Sequence, residues 1–342
     1  MNIVRFQEID QFRHAIRNVQ SKAQFVGLDA QGEPIMNRLA ILPKLKYEGT
    51  PKIHGCCSSV QIRRDGSIIP QSRNQELSIE KDNYGFAKFI LSLPPEVWVW
   101  IKFNFGDNIV VHGEWAGKGI QDTVAVSQLD KFWTIFRIEK LVQDENGEDT
   151  GGDWIRFNEV SFISLNQYRV YSIYQFGVVD LTIDFEHPAE DTNKINEVSL
   201  AVEAECPVAK FFGISGIGEG RVWVCVEDGY QSSKYVFKVK GQAHSKSKVN
   251  KLANVDVEKM ANIEAFVAKH ANEERLTQGF NWLKENGLAQ DETKTGDFIR
   301  WVFNDIIKEE ADELTANGLT VKELGGAVNK AARLWYFAKI QI

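Results

Sequence analysis

The sequence predicts an α+β protein: a domain of antiparallel sheets with helices between them, followed by a small all-helical domain. Three observations carry this reading. Residues 24–240 are a succession of short β-branched and aromatic runs broken by turn signals, among them Asp65-Gly66, Gly106-Asp107-Asn108, the stretch from Asn146-Gly147 to Gly151-Gly152, and Asp228-Gly229. That is how strands joined by tight turns are written. From about Asn254 the apolar residues recur at helical spacing instead, as Met260, Ile263 and Val267, then Phe298, Val302 and Ile306, then Leu324, Val328 and Leu334. The tail also carries helix punctuation: Thr320-x-x-Glu323 is a capping box, and Asn286-Gly287 and Asn317-Gly318 are stops.

Taken in order, Ile9, Phe12, Ile16 and Val19 predict a short amphipathic helix, and Leu39 to Tyr47 and Val60 to Arg63 are strand-like. Glu80 to Ser92 and Val202 to Phe212 are expected helices. Val97 to Ile101, Asn108 to Val111, Phe132 to Ile138 and Tyr235 to Val239 are expected strands. The domain boundary falls near residues 241–255, giving a catalytic domain over 1–250 and a helical domain over 251–342. Repeats and low-complexity tracts are absent from the sequence.

At 342 residues, 43% hydrophobic and 25% charged, the composition is that of an ordinary water-soluble chain with room for a large core. There is no run of about 18 uninterrupted apolar residues, and Glu8 and Asp10 stand where a signal peptide would be apolar, so a cytoplasmic protein without membrane contact is expected. The four cysteines include the adjacent pair Cys56 and Cys57 and form no C-x-x-C pair, which argues for reduced thiols rather than a disulfide framework or zinc site. The net charge of −7 argues against a uniformly basic surface. Yet between Gly229 and Val255 there is no Asp or Glu, while Lys234, Lys238, Lys240, Lys246, Lys248 and Lys251 all fall there. Such a stretch is either a phosphate-facing strip or a solvated basic hairpin and linker.

The chemistry is concentrated in an ordered series. Lys52 lies in Lys52-Ile53-His54-Gly55, after one strand-like run and before another. A lysine amine held unprotonated can attack a phosphorus atom. A lone K-x-[DH]-G is a weak signal; the residues that follow give it weight. Arg73 lies in Pro70-Gln71-Ser72-Arg73-Asn74, Glu114 in the run His112 to Gln121, Phe136 in Phe132-Trp133-Thr134-Ile135-Phe136, and Glu219 between Gly218 and Gly220. Lys238 and Lys240 alternate along a strand and so share one face, where they can meet one triphosphate and favour a neutral amine on Lys52. Glu219, flanked by glycines, can approach a divalent ion. Glu114 can accept hydrogen bonds from ribose hydroxyls, Arg73 can contact ribose or phosphate, and Phe136 can stack on a base or serve as a core residue.

This series resembles motifs I, Ia, III, IIIa, IV and V of the covalent nucleotidyltransferase superfamily, and the strings KIHG and GEWAGKGIQ are most similar to phage-type RNA ligases of the RNA ligase 2 group. The resemblance covers about residues 45–250, and includes the His of motif I at His54. It extends to the runs Gln71 to Phe89 and Cys206 to Trp223. It implies a nucleotidyltransferase, ATP-grasp-like ligase domain in which Lys52 takes up AMP. Arg73 and Glu114 would contact ribose, Phe136 would stack on adenine, Glu219 would serve the metal, and Lys238 and Lys240 would bind phosphate. His54 would organise the reaction centre rather than act as a general base. ATP and Mg2+ or Mn2+ are the implied cofactors, and the implied partner is RNA with 5′-phosphate and 3′-OH ends, in a nicked duplex. A monomer is the expectation. Four positions depart from the pattern: Cys56-Cys57 replaces the usual Thr-Asn, Arg137 stands where an acidic residue often follows the stacking Phe, and Val224 where relatives can carry a lysine. A DNA ligase or a capping enzyme shares the lysine chemistry but normally appends a β-barrel rather than helices. A relative that binds nucleic acid without catalysis is the alternative outside enzymology.

Overall fold

A computed structural model describes residues 3–145, 149–155, 164–241 and 257–340. Lys246, Lys248, Lys251, the predicted boundary at 242–255 and the turn at Asn146-Gly147 lie outside the described residues.

The chain opens with α1 (Phe12–Gln24), which buries Phe12, Ala15 and Val19 along one stripe. A hairpin of β1 (Phe25–Leu28) and β2 (Pro34–Met36) follows, and then β3 (Lys44–Lys52), β4 (Cys56–Ile62) and β5 (Ile68–Ser72). Next come α2 (Phe86–Ser92), α3 (Pro95–Phe105), β6 (Ile109–Ala116), β7 (Phe132–Gln143), β8 (Asp149–Trp154), β9 (Ser164–Leu165), β10 (Val170–Ser172) and β11 (Val179–Asp184). The helices α4 (Pro188–Ala204) and α5 (Pro207–Phe211) precede β12 (Gly220–Cys225) and β13 (Phe237–Lys240). The tail is α6 (Val257–His270), α7 (Glu273–Glu285), α8 (Thr295–Glu309), α9 (Ala311–Ala316) and α10 (Val321–Ile340). Among the described residues, no helix is long and apolar enough to cross a membrane.

The elements fall into two compact units. One comprises Met1–Gln20 and Pro43–Ala253; the other comprises Ser21–Leu42 and Asn254–Ile342. The helical unit therefore takes in the β1–β2 hairpin, which lies far upstream of the helices in sequence.

In the sheet unit, β11, β3, β12 and β13 form an antiparallel sheet in that order. The larger sheet runs β5-β4-β6-β7-β10-β9, with β8 also on β7. It contains one departure from the antiparallel expectation, since β10 runs parallel to β7. The chain reverses once into β8 and again between β9 and β10, and two reversals restore the direction of β7. One core packs α2 and α3 with this sheet, through Phe86, Ile90, Trp98 and Ile101 with Val111 and Trp133. A second gathers Ile53, Ala116, Phe132, Tyr171 and Phe176.

Several elements differ from the sequence expectation. Val97 to Ile101, expected as a strand, is the middle of α3. Pro95 occupies the first turn, where its missing N–H costs nothing, and Gly106 ends the helix at φ 88°. The buried set Val97, Trp98, Ile101 and Phe105 has helical spacing, while Val99 and Phe103 are exposed. The helix expected from Glu80 begins only at Phe86, because the Asp82 carboxylate accepts from the backbone N–H groups of Ala87 and Lys88 and so caps the first turn. The expected helix Val202 to Phe212 is broken before Pro207, which disfavours the helical backbone of its predecessor. In the helical unit, Phe298, Val302, Ile306, Leu324 and Val328 are fully buried as expected, whereas Leu334 is exposed and Ala332 and Tyr336 continue the stripe. Asn286-Gly287 and Asn317-Gly318 do end helices, and the Thr320 N–H and hydroxyl both donate to Glu323.

Candidate nucleotidyl-transfer site

β3 ends at Lys52 and the chain passes through Ile53, His54 and Gly55 directly into β4, so this tetrapeptide is the bridge between the two sheets. Gly55 is required there: its backbone runs so close to β6 that a Cβ would fall on the carbonyl oxygen of Trp115. Strand register then sets the partners of Lys52. It lies opposite Gly220 on β12, and Gly220 lies opposite Lys240 on β13. The residue before Gly220 is thereby delivered between two lysines. Glu219, 1% exposed, accepts from Lys52 Nζ at 2.7 Å on one oxygen and from Lys240 Nζ at 2.6 Å on the other. His54 Nδ1 lies 3.4 Å from the oxygen that Lys52 uses.

A cavity of about 580 Å³ opens beside this cluster, and Lys52, His54, Arg73, Glu114, Phe136, Glu219, Lys238 and Lys240 all line it. The structure thus brings together every predicted site residue. Lys52 was expected among lysines; its direct partner is instead the Glu219 carboxylate. Of the basic stretch, Lys238 and Lys240 face the cavity, whereas Lys234 is exposed and does not line it. Phe136 is half-buried and meets Phe6 edge-on, with ring centroids 4.9 Å apart.

The electrostatics follow from burial and from this charge order. Desolvation works against an ionised Glu219, but the hydrogen bond from His54 and the Lys52 and Lys240 contacts outweigh it and hold the carboxyl well below its usual range. Glu114 moves the other way: burial pushes it up to about 7, against the pull of Lys52 and of the Gly55 N–H that donates to it at 3.0 Å. Lys238 is lowered by burial and then by the neighbouring Lys52, Lys240 and Arg73. Burial and Glu114 push the Cys57 thiol up to about 11, although Arg73 hydrogen-bonds to it. Cys57 sits opposite Glu114 in the β4–β6 register, so the Cys56-Cys57 departure places a neutral thiol between Glu114 and Arg73.

Some lining residues had no sequence signal. Phe6 and Glu8 enter because Asp10 pairs with Phe237 and accepts from the Lys238 N–H at 3.0 Å, which lays the N-terminal segment along β13. Arg137, noted only as a departure, also lines the cavity; it is 3% exposed and its guanidinium lies 3.7 Å from the ring centre of Trp154. Val224, with Ile173, Val222 and Val236, supplies apolar wall.

The donor set suits a nucleoside triphosphate with a hard divalent ion. Arg73, Lys52, Lys238 and Lys240 offer positive charge, Glu219 and Glu114 offer carboxylate oxygen, and the aromatic and aliphatic wall can take a base. Among the described residues, the one cluster with ligand atoms close enough for an ion is elsewhere, at His270, Glu310 and Glu313 of the helical unit. There Arg275 holds Glu310 at 2.7 Å and Lys269 holds Glu313 at 2.7 Å, so the cluster is an ion-pair network between helices.

No protein-family profile matches the chain, and no curated protein does. Among solved structures, the RNA ligase of Naegleria gruberi with PPi is similar at a TM-score of 0.43 and 18% identity, over 73% of this chain and 59% of that one. A lysine-to-alanine mutant of that ligase with ATP and Mn is similar at a TM-score of 0.42 and 17% identity, over 72% of this chain and 59% of the other. The chain thus spans about three fifths of the length of these ligases.

Proposed function

We propose that the chain is an ATP-dependent RNA ligase that joins 3′-hydroxyl and 5′-phosphate ends through a lysyl-AMP intermediate. The observation that carries this is the Lys52–Glu219–Lys240 cluster, with contacts of 2.7 and 2.6 Å, set at one cavity with Arg73, Glu114, Phe136 and Lys238. Such a site matches the needs of phosphoryl transfer, which are positioning and charge neutralisation more than proton transfer.

In the first step the Lys52 amine, having given up a proton and its ion pair with Glu219, forms an N–P bond to the α-phosphorus of ATP as the bond to pyrophosphate breaks. In the second, a 5′-phosphate oxygen attacks the same phosphorus and Lys52 leaves, regaining a proton. In the third, a 3′-hydroxyl gives up its proton and attacks the 5′-phosphate, a phosphodiester forms, and AMP departs with the bonding electrons. Lys238 and Lys240 steady the phosphates, Glu114 and Arg73 the ribose, Phe136 the adenine, and His54 holds the Glu219 carboxylate in place. A Mg2+ or Mn2+ ion at Glu219 would neutralise phosphate charge. The helical unit is assigned to nucleic-acid binding, with a nicked duplex as substrate and a monomer as the working species.

Incubation of the full chain with α-labelled ATP and magnesium is expected to give a covalent AMP adduct, and Lys52→Ala to give none. Labelled adduct on the variant would overturn the assignment. Sealing of nicks bearing RNA termini, against the same nicks bearing DNA termini, tests the substrate.

A further inference from the structure

The helical unit carries a second cavity, of about 370 Å³, built on one edge of α8 beside its buried stripe. Phe298, Val302 and Ile306 face the core. Arg300, Asn304 and Lys308, four residues apart, run along the neighbouring edge with Trp301, three residues before Asn304, and line the cavity with Trp282 of α7. The two indoles are stacked, with centroids 6.4 Å apart and planes inclined by 29°. Both are half-buried, so each keeps part of its surface open to solvent. Trp301 is fixed from behind by α7: a Cβ on Gly279 would lie 2.7 Å from its ring, so the glycine lets the ring sit against the helix.

The polar groups around the rings are unevenly committed. The Asn304 amide has no hydrogen-bond partner among the described residues, and the Arg300 side chain is 74% exposed with only a 3.7 Å contact to Asp297. Asp305, the other carboxylate in the wall, is already paired with Arg275 at 2.9 Å. The cavity thus offers a rigid aromatic surface, an amide that can donate and accept, and a largely exposed cation at the rim. A flat heterocycle bearing hydrogen-bonding edges and a phosphate uses all three. A basic peptide would meet Arg300 and Lys308.

We propose that this cavity binds one unpaired base of the RNA substrate, in a single-stranded segment beside the nicked duplex, stacked on the Trp282–Trp301 pair, with Asn304 on the base edge and Arg300 on its phosphate. The choice of RNA rests on the ligase reading above. The site gives the substrate an anchor with no part in nucleotidyl transfer. Stacking of this kind tolerates any base, so it supplies affinity without sequence preference.

The test uses the full chain and an oligouridylate containing 5-iodouridine. Irradiation is expected to crosslink it to Trp282 or Trp301, as mapped by mass spectrometry. The double variant Arg300→Ala, Asn304→Ala changes only exposed side chains and avoids disturbing the indoles packed on α7. It is expected to weaken binding of the same oligonucleotide by about 10-fold while AMP-adduct formation at Lys52 stays as in the parent. Crosslinks confined to other residues, or an unchanged dissociation constant in the double variant, would overturn the proposal. Adduct formation by the parent chain is read separately, so failure of the ligase reading and failure of this site are distinct results.

Discussion

Glu219 is a buried carboxylate that survives as an anion only because Lys52, Lys240 and His54 surround it. Burying a charge costs several kcal/mol unless close partners offset it, and here the partners are the residues assigned to the chemistry. Glu219→Ala would leave two ammonium groups facing each other and remove the carboxylate assigned to the metal. The rate of AMP-adduct formation is expected to fall by at least ~100-fold, and a near-normal rate would take Glu219 out of the reaction. Glu114 makes the opposite case. Its folded-state value of about 7 lies above the ordinary 4.5, so the folded chain holds a proton that the unfolded chain has already released. The stability this proton contributes is full below about pH 4.5 and is lost as pH rises through about 7. Glu114→Gln retains an oxygen for the Gly55 N–H but cannot ionise. Urea unfolding at about pH 5 and about pH 8 should therefore show a smaller loss in the variant, by up to ~3 kcal/mol. An equal loss in both proteins would mean that Glu114 does not bind this proton.

At the scale of elements, α3 is where local patterning misled. Val97, Val99 and Ile101 alternate as a strand would, and β-branched and aromatic residues dominate the run. The deciding signals flank it: Pro94-Pro95-Glu96 starts a helix and Gly106 stops one. The two arrangements are separable by stability. On a strand, Val99 and Ile101 would share a face and cost alike; on α3, Ile101 is fully buried and Val99 is 65% exposed. Ile101→Ala is expected to destabilise by ~2–5 kcal/mol and Val99→Ala by less than ~0.5 kcal/mol, measured by denaturant unfolding. Equal losses would contradict the helix. Leu334 has the same lesson in reverse. It stands six residues after Val328, off the helical period, while Ala332 and Tyr336 keep the four-residue step and are fully buried.

At the scale of the whole molecule, the sheet unit contains every residue assigned to nucleotidyl transfer, while the helical unit draws on both Ser21–Leu42 and Asn254–Ile342. Removing only 254–342 would strip the β1–β2 hairpin of its neighbours, including the Phe337 ring under the Arg38 guanidinium at 5.0 Å. The hairpin already exposes Phe25, Val26 and Leu28, so aggregation of such a truncated chain is expected. Replacing 21–42 with a short polar linker as well should give a soluble protein that still forms the AMP adduct at Lys52 but loses most nick sealing. Comparing adduct formation and sealing at low and high salt checks this, since phosphate contacts weaken as salt rises. Full sealing by the reduced protein would leave the helices without a role in substrate binding.

By itself the sequence determined which chemical groups the site contains and in what order they occur, because Lys52, Glu114, Glu219, Lys238 and Lys240 each sit in a recognisable local setting. It also determined that the tail is helical, since periodicity and capping are properties of neighbours in the chain. Only the tertiary structure decided that Glu219 and not a lysine is the direct partner of Lys52, a contact across 167 residues made by the β3–β12 register. The same holds for Phe6, Glu8 and Arg137 at the cavity, and for the hairpin's place in the helical unit. No local pattern encodes these contacts: they follow from which strands pair and which faces are buried together, and a period read within one element says nothing about the element it meets.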